Sequence, residues 1–115
     1  MSALSEIKTI LAGLSVPVET GVFKSEAPET YAVLVPLTDS FLLHSDDFPS
    51  VDVQEVCISI FTKNSYTALK NQIVRSLLQA DFTVTERVYV GYETDTGYHH
   101  YAVDAAKHYI YESED

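Results

Sequence analysis

The sequence predicts an α+β domain: a mixed, mainly antiparallel sheet with two helices packed on it, in the order helix, strands, helix, hairpin. Three observations carry this. Two segments repeat their apolar residues at the helical period, the residues between and after them alternate as strands do, and Thr94–Gly97 has the composition of a hairpin turn.

The first helix is expected over residues 3–14, where Leu4, Ile7, Ile10, Leu11 and Leu14 recur at helical spacing. Ser2 or Ser5 can cap it, Glu6 suits its first turn, and Gly13 with Pro17 just beyond marks its end. Val18–Phe23 reads as a short strand with Gly21 able to form a bulge, closed by the polar turn Lys24–Glu29. Tyr31–Val35 is a strand apolar on both faces that ends, or runs along an edge, at Pro36. Leu37–Asp47 reads as an irregular excursion holding a short Phe41-Leu42-Leu43 strand, with Pro49 closing the loop.

The organising segment is Val51–Ala80. In its strand, Val51–Thr62, Val56, Ile58 and Ile60 share one face and Val51, Val53, Cys57 and Phe61 the other. Apolar residues on both faces place it inside the sheet, with room for another subunit on one side. In the helix that follows, Tyr66, Leu69, Ile73, Val74, Leu77 and Leu78 form the inward stripe, and Asn64 or Ser65 caps the start. Phe82–Tyr92 is then a half-buried strand, its apolar set being Phe82, Val84, Val88, Val90 and Tyr92. Gly97 supplies the φ > 0 position of the turn, and His99–Tyr111 returns as the last strand, with Tyr101, Val103 and Tyr109 on one face and His100, Ala102 and Asp104 on the other.

The 115 residues suit a single domain, 1–115, with Glu112–Asp115 a frayed tail. No apolar run is long enough to span a bilayer and no basic-then-apolar start is present, so a cytosol-like compartment without membrane association is expected. The single cysteine, Cys57, fits that expectation. Seventeen acidic residues against seven basic ones give a net charge of −10, which disfavours nucleic acid at long range and suits basic partners or simple solubility.

Chemistry-bearing patterns are few. His99 and His100 are adjacent on a strand and face opposite sides, while His100, Asp104 and His108 share a face about 13 Å apart at each step, too far for one ion. Asp39, Asp46, Asp47 and Asp52 match no calcium-loop spacing, and no nucleophile elbow or phosphate loop occurs. No enzyme activity, cofactor or metal is expected. Six of the eight tyrosines, Tyr89, Tyr92, Tyr98, Tyr101, Tyr109 and Tyr111, fall in the C-terminal hairpin. Tyrosine gives large contact area at low rotamer cost, so these residues are the expected subunit contact, with Tyr101 and Tyr109 assigned to assembly rather than folding.

Five features, taken together, resemble one family: the Tyr31-Ala-Val-Leu-Val strand, the Asp46-Asp47-x-Pro49 loop, the Val56-Cys-Ile-Ser-Ile-Phe-Thr-Lys63 strand, the tyrosine-bearing helix and the Thr96-Gly-Tyr-His-His-Tyr-Ala-Val103 segment. The chain resembles the tail-terminator (tail-completion, head–tail joining) proteins of long-tailed bacteriophages and prophages of Gram-positive bacteria. The resemblance implies a virion protein assembled in the bacterial host cytoplasm, a homo-oligomeric ring, generally a hexamer, at the head-proximal end of the tail. It implies the tail-tube protein and the head connector as partners, no catalytic residue, and no sequence-specific contact with nucleic acid. Phe41, Leu42 and Phe48, in the loop before the central strand, are then expected to add neighbour contacts. The reading set against it is a small acidic binding or regulatory domain, monomeric or dimeric, that recognises a basic protein.

Overall fold

The computed structural model describes residues 2–19, 28–43 and 49–110. The elements are α1 (Ala3–Gly13), β1 (Val18–Glu19), β2 (Thr30–Leu43), β3 (Pro49–Thr62), α2 (Tyr66–Gln79), β4 (Thr83–Tyr92) and β5 (His99–Ile110). One five-stranded sheet runs β1-β2-β3-β5-β4; only β1 against β2 is parallel. The fold is therefore α+β with a mainly antiparallel sheet, and β3 lies at its centre.

Both helices lie on one side of this sheet. Their inward residues Ala3, Ile7, Leu11, Ile73 and Leu77 form one core with Ala32, Leu34, Val56, Ile58, Ile60, Val103 and Ala105. Each fully buried Ile or Leu adds roughly 1.5–3 kcal/mol of transfer free energy. The helical stripe of α2 is narrower than its spacing predicts: Leu69 and Val74 are partly buried, but Leu78 is 56% exposed.

The helix starts differ. Ser2 caps α1 by accepting from the Ser5 amide, and Ser5 bonds back to Ser2, a reciprocal capping box. Ser65 is the N-cap of α2 without a side-chain bond; instead Thr62 Oγ1 accepts from the Asn64 amide. Ser65 thus makes no side-chain cap bond, and the Thr62 bond fixes the turn that leads into the helix rather than a first-turn amide.

The helix ends are alike. Ser15 (φ 61°) and Asp81 (φ 68°) take the left-handed position after each helix, and the next amides, Val16 and Phe82, return to the carbonyls of Leu11 and Leu77. Val16 and Phe82 are themselves buried against the core. Gly13, read as the stop signal, lies inside the last turn of α1, because the hydrophobic contact of Val16 decides which residue turns the chain.

A larger correction concerns 37–43. The expected excursion is strand: β2 continues to Leu43 with irregularities between Pro36 and Thr38 and between Leu42 and Leu43, and pairs along β3 as far as Leu43↔Pro49. Pro36 is tolerated because it has the parity of Ala32, whose amide bonds outward to Pro17 on the β1 side. The amide that Pro36 lacks would point to that outer edge, beyond the two residues of β1. Strands of fourteen residues span about 46 Å, so this hairpin sets the 54 Å length of the molecule. Gly21 and the remainder of the first expected strand, and the acidic turn with Asp46 and Asp47, lie outside the described residues.

In β4 the expected alternation fails, because register shifts fall between Val84 and Glu86 and between Tyr89 and Gly91. Val84, Arg87, Tyr89 and Tyr92 therefore pair with helix-side residues of β5, whereas Glu86, Val88 and Gly91 pair with the opposite set.

Candidate interaction surface

The strand registers that bury Val56, Ile58 and Ile60 turn the alternate residues of β3 to a face that no described helix covers. Three rows of side chains cross it from β2 to β4. One row is Tyr31, Phe61, His100 and Gly91; the next is Val33, Ser59, Ala102 and Val88; the third is Val35, Cys57, Asp104 and Glu86.

The first row is closed by ring packing. Phe61 stacks on Tyr31 at 4.9 Å and on His100 at 4.2 Å. Tyr98, which follows the Gly97 turn at φ 82°, sets its ring edge-on to Tyr31 and Phe61 and donates its phenol to the Pro28 carbonyl. Burial, followed by the Tyr98 and Glu93 charges, raises the Tyr31 pKa. Burial lowers that of His100 against the opposing pull of Glu93.

The second row is apolar at both ends, and the third runs from Val35 to the acids Asp104 and Glu86. Val35 and Val88 remain 46% and 45% exposed, and Val33, Cys57, Ser59 and Ala102 between them are half-buried. Acids lie at the far end of this face: Asp104, Glu86, and Glu55, whose Oε2 accepts from Thr85 at 2.6 Å. Burial, then the neighbouring Asp104, pushes the Cys57 thiol pKa up, so the thiolate that redox or nucleophilic chemistry needs is disfavoured.

The hairpin tyrosines do not form one patch. Tyr89 and Tyr92 are 40% and 53% exposed on the edge strand β4, beside an aromatic group made by Tyr66, His99 and Tyr101. Tyr89 also bonds His99 Nδ1 at 3.0 Å. Tyr98 is only 5% exposed and belongs to the opposite face. Tyr101 packs against the core under the Lys70 ammonium. Tyr109 donates its phenol to Glu6, the carboxylate that also takes Lys107 at 2.8 Å. Tyr101 and Tyr109 are thus built into the fold, and substituting them would disturb packing before it reported on assembly. Phe41 and Leu42 lie in β2, at its hairpin end; Phe48 and Tyr111 lie outside the described residues.

Sequence reasoning missed the Glu6–Lys107–Tyr109 cluster. Lys107 Nζ also donates to the Ala80 carbonyl at 2.8 Å and sits 5.1 Å from the Phe82 ring, so one ammonium ties α1, the end of α2 and β5 together. A lysine at an otherwise inward position between Ala105 and Tyr109 was the available signal. A shallow groove lined by Ser5, Glu6, Thr9, Ile10 and Ala80 opens beside it.

His99 and His100 do face opposite sides of β5: His99 stacks toward Tyr66, His100 on Phe61. Among the described residues no group of three or more His, Cys, Asp or Glu side chains could share a metal ion. No helix among them is long and apolar enough to cross a membrane. No protein-family model matches the chain, and no curated protein matches it in sequence.

Proposed function

We propose that this protein is a non-enzymatic assembly protein of a bacteriophage or prophage virion. In this reading it is a tail terminator or head–tail joining protein, whose copies close into a ring at the head-proximal end of the tail tube. The observation that carries the proposal is the half-covered sheet. A layer of helices seals one face, while the other presents Val33, Val35, Cys57, Ala102 and Val88 to solvent among the described residues. Apolar surface of this kind on an isolated chain marks a contact site. The acidic charge of −10 per subunit adds support, because a ring of such chains offers DNA no favourable counterion release and lets it pass without adsorbing. The sequence resemblance supplies the particular assembly, its tube and connector partners, and its place in the virion.

The test is the mass of the protein in solution, by light scattering after size exclusion across a concentration series, with and without a tail-tube protein. A species near six subunits in either condition is the expected result. A monomer or dimer indifferent to tube protein would overturn the proposal and leave the small acidic domain that binds a basic partner.

A further inference from the structure

The occupant of the open sheet face can be read from the charges of the chain itself. Helix α2, Tyr-Thr-Ala-Leu-Lys-Asn-Gln-Ile-Val-Arg-Ser-Leu-Leu-Gln, contains no aspartate or glutamate in a chain with seventeen acids. Its outward stripe is Ala68, Asn71, Gln72, Arg75 and Gln79, flanked by Leu78 at 56% exposure. Arg75 is exposed and forms no ion pair among the described residues, where Lys107 with Glu6 is the one salt bridge. The open sheet face has the opposite character: Val33, Val35 and Val88 with the acids Glu55, Glu86 and Asp104.

We infer that the outer face of α2 of one copy docks on the open sheet face of a second copy, with Arg75 directed to the Glu55, Glu86 and Asp104 end. The inference rests on the ring reading above and names the contact that would build it. Both surfaces belong to every chain and lie on opposite sides of the sheet, so each copy can give its helix to one neighbour and its sheet to the other. Such a head-to-tail contact is heterologous, and it closes into a ring when its rotation divides the circle. Face-to-face pairing of two open sheets is the alternative geometry. With the strands of both copies running in the same sense it would bring Glu55, Glu86 and Asp104 of the two copies together, which like-charge repulsion disfavours; with one sheet turned round it would not, and a Cys57-to-Cys57 cross-link would reveal it. The docked helix would complete for the open face the layer that α1 and α2 already provide for the other, the arrangement in which a sheet buries both sides.

Cys57 makes the contact measurable, because the only cysteine of the chain lies on the open face, in the row of Val35 and Asp104. A second cysteine is placed on α2 by Gln72→Cys, and the full-length protein is treated with a short bismaleimide, with and without tail-tube protein. Cys57→Ser in the same background is the control. The expected product is a ladder of covalent multimers that requires both cysteines, with peptides joining position 72 to Cys57. As an independent readout, Arg75→Glu is expected to weaken self-association about tenfold or more, and Glu86→Lys in the same chain to recover part of it.

The outcomes separate the two readings. A ring whose cross-links join only Cys57 to Cys57, or whose assembly ignores Arg75→Glu, overturns the docking inference and leaves the ring standing. Helix-to-sheet cross-links between copies that never close into a ring support the docking contact and overturn the ring. Neither oligomer nor cross-link overturns both.

Discussion

The two faces of β3 are made by the same fourteen residues, yet they follow different rules. Toward the helices, Val56, Ile58 and Ile60 are 2%, 0% and 1% exposed and meet side chains of α1 and α2. Away from them, Cys57, Ser59 and Phe61 are only half-buried, and the strands on either side add exposed valines at positions 35 and 88. The open face keeps apolar residues beside Ser59 and the acids Glu55, Glu86 and Asp104, so it is less apolar than the helix side without being a purely polar surface. What distinguishes them, among the described residues, is that α1 and α2 lie on one face and no described helix lies on the other. Among the described residues the first face is covered within one molecule and accounts for folding; on the reading proposed above, the second is left for a contact.

The sharpest way to break this comparison is to place the same charge on each face. Ile58→Asp buries a carboxylate with no partner in the core and is expected to cost more than about 4 kcal/mol, enough to abolish a cooperative thermal transition followed by circular dichroism. Val88→Asp, at a position 45% exposed, is expected to leave that transition within about 1 kcal/mol of the parent while reducing self-association. If Val88→Asp unfolds the protein as Ile58→Asp does, the open face is part of the folding core and the distinction fails.

The next effect belongs to the helix side. Lys107 is 19% and Glu6 18% exposed, and their pair is reinforced by Tyr109 and the Ala80 carbonyl. Lys107→Met leaves the partly buried Glu6 carboxylate with only the Tyr109 hydroxyl and the Ala80 carbonyl at the end of α2 without its lysine donor, so a loss of about 2–3 kcal/mol is expected in urea unfolding. Burial acts to raise the Glu6 pKa, but the Lys107 and Tyr109 bonds outweigh it and hold the group below its ordinary 4.5. The unfolded chain therefore binds the proton more readily. The stabilisation is present above about pH 4.5 and is lost as pH falls through the depressed folded value. Glu6→Gln is expected to flatten the stability profile in that acid window. An unchanged profile would show that the cluster is geometric rather than electrostatic.

How much of this was legible in the sequence follows from which signals are local. The two helices, the centrality of Val51–Thr62 and the Gly97 turn were readable because each rests on periodicity or on a single φ requirement. The length of β2 was not. Its Pro36 and the polar run Thr38-Asp39-Ser40 look like loop, and only pairing with β3, from which the amide missing at Pro36 would point away, makes them strand. The faces of β4 were lost for a related reason, since two bulges shift the alternation: nothing at Thr85 announces the first, and the signal of the second, Gly91, was not read. The tyrosines were grouped by composition, but strand parity and the chain reversal at Gly97 sent Tyr98 to one face and Tyr89, Tyr92 and Tyr101 to the other. The Lys107 cluster joins residues about a hundred positions apart, a distance over which no window of sequence speaks.

The smallest predicted effect lies on the open face and concerns His100. Its ring is stacked on Phe61 beside Tyr98, and its Nε2 is buried without a hydrogen-bond partner among the described residues. Burial lowers its pKa below the ordinary 6.5, and the Glu93 charge only partly opposes this. Protonation is therefore easier in the unfolded chain, so stability is expected to fall as pH drops from 6.5 toward the lowered folded value. This window opens at a higher pH than that of Glu6, from 6.5 against 4.5, so one pH series follows both faces. His100→Phe should remove the upper step and leave the Glu6 step in place. If a neighbouring copy covers this face, its desolvation deepens the penalty on the charged ring, and self-association should weaken across the same upper window. Association that strengthens on acidification through that window would place His100 at a contact with an acidic partner group instead, and would contradict an α2 surface that carries none.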